Sequence, residues 1–160
     1  MVDFPDGYLP VSLAEQFAAY VSEIPAVGST TFVDVTGITL TPGATNEVLS
    51  LSGKGCVKSL DCVIKPNSGS SLETLKDIEV YTEVDGSGLY GMSLETLLGL
   101  FLAGFSHAPV VITRFDDFSR QYGVAIHRRI RFDSNFKFAL KNPYGEELEA
   151  QILCEYEIYF

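Results

Sequence analysis

Two hydrophobic periods divide the chain. Between Pro10 and Pro25 the apolar residues Leu13, Phe17, Tyr20, Val21 and Ile24 recur at helical spacing on one face, which predicts a short amphipathic helix. Ser12-Leu13-Ala14-Glu15 supplies a capping box at its start, and Pro25 stops it. From Gly28 onward the period shortens to two, in β-branched runs divided by turn residues, as expected of an all-β sandwich. The pattern therefore predicts an N-terminal arm and helix over residues 1–27 and a β-sandwich domain over residues 28–160.

Within the β region, Thr30–Thr41 runs into the turn Pro42-Gly43-Ala44, and Glu47–Leu51 runs into Gly53-Lys54-Gly55. In Cys56–Ile64 the apolar members Cys56, Leu60, Cys62 and Ile64 share a parity that Lys58 breaks. Pro66–Ser71 has loop composition. Ile78, Val80, Thr82 and Val84 alternate with Asp77, Glu79, Tyr81 and Glu83, the pattern of a half-buried strand with an acidic outer face, closed by the turn Asp85-Gly86-Ser87-Gly88. A second short helix is expected over Ser93–Phe105, with Ser93 as its cap and Gly104 near its end.

The alternation is strongest in the C-terminal third. Ile130, Phe132, Phe136, Phe138 and Leu140 occupy even positions, with Ser134 the exception, while Arg129, Arg131, Lys137 and Lys141 stand among the odd ones. After Asn142-Pro143-Tyr144-Gly145, the even positions from Leu148 to Phe160 are apolar again, and the other face carries Glu147, Glu149, Glu155 and Glu157. Opposite charges across an antiparallel ladder favour a register, so these two segments are expected to form one hairpin. The pattern runs to Phe160, placing the last residue in a sheet or a subunit contact.

Composition narrows the functional classes. A chain of 160 residues with 46% apolar residues suffices for one buried core. A net charge of −10 argues against non-specific nucleic-acid binding, and the basic run His127-Arg128-Arg129-Ile130-Arg131 reads as solvated, ion-paired surface. The start Met1-Val2-Asp3-Phe4-Pro5-Asp6 has no cationic, apolar leader, so synthesis in a cytoplasm is expected. The greasy stretch Leu94–Phe105 is too short to cross a bilayer, and no membrane association is expected. Three cysteines suggest buried reduced thiols; Cys56 and Cys62, on one strand, would stand roughly 20 Å apart, beyond disulfide reach.

No catalytic constellation emerges. His107 and His127 belong to no metal-ligand spacing, and no nucleophile elbow, zinc-protease motif or phosphate loop occurs. Asp116 and Asp117 read as a loop between strands, because neighbours on a strand point to opposite faces. No catalytic residue, metal or cofactor is expected. Tyr81, Tyr90, Tyr122, Tyr144 and Tyr159 are candidates for a surface that stacks on sugar or protein.

The order of segments, from Val48–Gly55 through Ile78–Gly86 and Arg131–Asn142 to Ile152–Ile158, resembles the jelly-roll structural proteins of tailed-phage virions. The resemblance covers about two thirds of the chain and consists of strand and turn grammar. It implies an antiparallel jelly-roll sandwich and a role in head decoration, a fibre, a neck or a tail. It implies symmetric homo-oligomers, trimers among them, that attach to other virion proteins. The N-terminal helix lies outside the resemblance and can fold back as a lid or dock on a neighbour. Contacts are expected at its Leu13, Phe17 and Tyr20 and at Leu98 and Phe101 of the greasy segment. The alternative is a carbohydrate-binding sandwich that recognises a host surface glycan.

Overall fold

A computed structural model describes residues 29–104 and 109–159, the side chains of residues 29, 89 and 90 aside. The expected N-terminal helix, with Leu13, Phe17 and Tyr20, lies outside the described residues, as do His107 and Phe160.

Among the described residues, ten strands and one helix follow in chain order: β1 (Ser29–Leu40), β2 (Thr45–Ser52), β3 (Lys54–Pro66), β4 (Glu79–Val84), β5 (Ser87–Ser93), α1 (Leu94–Leu102), β6 (Val111–Asp116), β7 (Gln121–Ile126), β8 (Ile130–Phe132), β9 (Asn135–Lys141) and β10 (Leu148–Tyr159). They form two antiparallel sheets, a β-sandwich. One has six strands in the order β1-β10-β3-β7-β6, with β8 also on β3; the other has four in the order β2-β9-β4-β5. The alternation read from β4 holds, since Ile78, Val80 and Thr82 are buried while Glu79 and Tyr81 face outward. Tyr122, Phe136, Phe138, Leu60, Ile64 and Ile126 supply much of the fully buried bulk between the sheets.

The expected hairpin between the last two long segments does not form. β9 belongs to the four-stranded sheet and β10 to the six-stranded sheet. Each segment finds its opposite charge on other strands. Lys137 of β9 reaches Glu83 of β4 at 3.4 Å, and Lys141 reaches Glu79 at 3.1 Å. On β10, Glu155 and Glu157 meet Lys58, and Glu149 meets Lys65, both lysines being on β3. The chain between β9 and β10 is held by Asn142, fully buried, whose amide donates to the carbonyls of Leu40 and Glu146 at 3.0 and 2.8 Å.

The long run from Ile130 to Leu140 is likewise two strands in two sheets. Ser134, the exception in its pattern, marks the corner. There Gly53, the single residue between β2 and β3, donates its N–H to the Ser134 carbonyl at 2.8 Å, so two sheet-crossing segments share one junction. The Asp85 carboxylate closes it, accepting from the amides of Asp133, Ser134 and Asn135 at 3.0, 2.7 and 3.1 Å. Asp85 and Gly86 form the two-residue turn between β4 and β5, with φ of 52° and 77°, the left-handed pair that an Asp-Gly hairpin turn requires. Lys58, which broke the parity of β3, is the extra residue of a β-bulge opposite Glu155 and Tyr156. Helix α1 starts as expected, with the Ser93 hydroxyl accepting from the Thr96 amide at 3.2 Å, and Gly104 follows its end at φ 79°.

Candidate interaction surfaces

The outer face of the four-stranded sheet is built from three cross-strand rows: Thr45–Lys141–Glu79–Ser93, Glu47–Ala139–Tyr81–Gly91 and Ser50–Lys137–Glu83–Gly88. Ala139 in the middle row and Gly88 in the next are small, and between them lies a trough of about 370 Å³ bordered by Thr45, Glu47, Tyr81, Glu83 and Lys137. Gly91 is required here, because a Cβ on it would stand 2.8 Å from the Tyr81 ring. The ring is fixed at its far end, where the Tyr81 hydroxyl donates to the Glu79 carboxylate. That bond and the Lys141 ammonium hold the Glu79 carboxyl below its usual range. Lys137 stands between Glu83 and Glu47, 3.4 and 4.0 Å away. The trough therefore offers an aromatic ring, two carboxylates and an ammonium from two adjacent cross-strand rows.

The outer face of the six-stranded sheet is different. Phe32, 66% exposed, is paired with Glu155, and its diagonal neighbour Leu153, 48% exposed, lies beside Asp34. Val63 continues the diagonal beyond Leu153. Three apolar side chains thus cross a face that the sequence pattern describes only by its glutamates. The signal was present: Phe32, Val63 and Leu153 are apolar at the parity opposite to the core in their own runs. Phe118, at the tip of the β6–β7 turn, is 99% exposed.

The remaining sequence candidates are separated. Leu98 packs against the core, whereas Phe101, in the last turn of α1, is exposed. Tyr122 is fully buried against Phe115, so it contributes no stacking surface; its hydroxyl donates to Asp117. Tyr144 anchors a loop, its hydroxyl accepting from the Asp77 amide at 3.0 Å. Asp116 folds the β6–β7 turn as expected, accepting from the amides of Phe118 and Ser119 at 3.0 Å each, so the two aspartates do not converge. His127, Arg128 and Arg129 form an exposed link between β7 and β8, with His127 3.4 Å from Asp61. Cys56, Cys62 and Cys154 are buried free thiols. No group of three or more His, Cys, Asp or Glu side chains able to hold a metal occurs among the described residues, and no described helix is long and apolar enough to cross a membrane.

No protein-family model and no curated protein matches the chain.

Proposed function

We propose that this chain is a non-enzymatic structural component of a phage virion, a jelly-roll subunit made in the host cytoplasm that self-associates and attaches to other head, neck or tail proteins. The observation that carries the reading is the way successive strands exchange sheets. β1, β3, β7 and β10 lie in one sheet while β2, β4, β5 and β9 lie in the other, and each sheet interleaves early strands with late ones. This interleaving supports reading the sandwich as an eight-stranded double-sheet jelly roll, an architecture of viral capsid domains, with β6 and β8 as additions. A fold by itself assigns no function. Exposed Phe32, Leu153, Phe101 and Phe118 add apolar surface of the kind that marks protein contacts. The reading needs neither a cofactor nor nucleic acid, and its oligomers include trimers.

The test is direct. Mass spectrometry of purified particles of the encoding phage is expected to find this chain in stoichiometric amount, and light scattering across a dilution series is expected to give a closed oligomer. A concentration-independent monomer that is missing from the particles would overturn the proposal.

A second reading, a carbohydrate-binding sandwich for a host surface glycan, draws on the trough. A tyrosine ring beside the Glu47, Lys137 and Glu83 side chains matches the mixture of stacking and hydrogen bonding that sugar rings require. Binding on a glycan array that is lost in Tyr81→Ala supports it, and silence across a broad array removes it.

A further inference from the structure

We infer that the apolar diagonal on the outer face of the six-stranded sheet, Phe32–Leu153–Val63, is the seat of the chain's own N-terminal segment, residues 10–25, docked as the amphipathic helix that their sequence predicts. The inference is independent of the virion reading, and it leaves exposed Phe101 and Phe118 as apolar surface for other proteins.

Length is the first argument. Phe32 pairs with Glu155, Asp34 with Leu153, and Gln151 with Val63. Each step of the diagonal therefore crosses one strand spacing of about 4.8 Å and two residues of about 3.4 Å rise, so the straight line from Phe32 to Val63 is about 17 Å. The apolar stripe between Pro10 and Pro25 starts at Leu13 and ends at Ile24. At 1.5 Å per residue a helix extends that stripe over about 17 Å as well.

The connection fixes the direction. Only Pro25, Ala26, Val27 and Gly28 separate Ile24 from Ser29, the first residue of β1, and that link reaches at most about 17 Å. A point one packed layer above Phe32 is about 14 Å from Ser29, whereas the same height above Val63 is about 27 Å away. Ile24 can therefore cover the Phe32 end alone, which puts Leu13 over Val63, with Phe17 and Tyr20 near Leu153. A segment tethered this closely meets the face at an effective concentration that a free second copy does not reach.

The other surfaces fit the stripe less well. The outer face of the four-stranded sheet carries the pairs Lys137–Glu83 and Lys141–Glu79, and no exposed large apolar residue is found among its described side chains. Phe101 with Leu102 at the end of α1, and Phe118 at a turn tip, are too small to match it. Charge gives the contact its salt dependence. Residues 10–25 hold Glu15 and Glu23 and no lysine or arginine, and Leu153 is flanked by Asp34 and Asp61. The seat is thus apolar between like charges, and screening by salt should tighten it.

Hydrogen exchange on the full-length chain, read by mass spectrometry of peptic fragments, tests this. A helix of this length is marginal by itself in water, so residues 13–24 are expected to exchange about 100-fold more slowly than an unprotected chain, and more slowly still at high salt. Leu153→Asp is expected to abolish that protection while the amides of β3 and β10 keep theirs. Independently, Leu13→Cys/Val63→Cys is expected to form a disulfide within one chain on a non-reducing gel, since the native thiols are buried. Residues 13–24 unprotected in the wild type, or protection that survives Leu153→Asp, overturns the inference. So does a cross-link that joins two chains, which makes the occupant a second copy's segment, or one that never forms. If Leu153→Asp fails to fold, the cysteine pair decides alone.

Discussion

Asp85 shows how one side chain ties two distant parts of the chain together. Its carboxylate accepts the amides of residues 133–135 and the Ser134 hydroxyl, and these bonds, the Asp133 amide first, hold its pKa far below the ordinary aspartate range. Because the folded value is depressed, the stabilisation is complete above the unfolded value of about 3.9 and is lost as pH falls toward the folded value. The melting-temperature gap between the wild type and Asp85→Asn is therefore expected to be wide and flat above about pH 5 and to narrow steadily below about pH 4. A gap that ignores pH would show that the charge is not what Asp85 contributes. Thr82 makes the opposite case. Its hydroxyl is buried without a hydrogen-bond partner among the described residues. Thr82→Val keeps the shape and removes the unpaired group, so a urea melt is expected to show a gain of about 1 kcal/mol. Burial pushes the Cys62 and Cys154 thiols up to about 12 and raises Cys56 as well. At pH 8 a thiol of pKa 12 is ionised in about one molecule in ten thousand, so a chromogenic disulfide reagent is expected to titrate none of the three rapidly until denaturant is added.

At the scale of elements, the strands were legible and their partners were not. The alternation of Ile78–Val84, the Ser93 cap and the Asp-Gly turn each rest on local geometry, which a sequence states directly. Pairing is non-local. The lysines of β9 and the glutamates of β10 looked complementary, yet Lys137 and Lys141 meet Glu83 and Glu79 on β4, and the β10 glutamates meet lysines on β3. Charge patterning gave the right kind of pair and the wrong strand, because several acidic strands compete for the same lysines. The two misfits in otherwise regular runs were the informative residues: Lys58 marks a bulge and Ser134 a passage between sheets. The trough could not be read at all, since it depends on Ala139, Tyr81 and Gly88 coming together from three strands. Close packing of the backbone at Gly55 gives a further expectation. A Cβ there would stand 2.3 Å from the Glu157 carbonyl oxygen and 2.7 Å from the Phe132 ring. Gly55→Ala must displace β10 or β8, and a loss of about 1–3 kcal/mol in a denaturant melt is expected; an unchanged midpoint would mean that the strand ends yield freely.

At the scale of the whole molecule, the sandwich followed from the periodicity, while the exchange of strands between sheets came only from the structure. That exchange places most of the ladders between segments distant in sequence: β1 and β3 both pair with β10, and β2 and β4 both pair with β9. Loop closure must precede each of these contacts, so refolding is expected to take milliseconds to seconds, followed by far-UV circular dichroism or tyrosine emission because the chain lacks tryptophan. Completion within microseconds would contradict the topology.

The pairing of β1 with β10 also sets an order of events during synthesis. A ribosome releases residues at roughly 5–20 per second, so β1 leaves the exit tunnel on the order of ten seconds before its only described neighbour does. Throughout that interval β1 is without the one strand described against it, and on a crowded polysome the β1 of the adjacent nascent chain is in the same state.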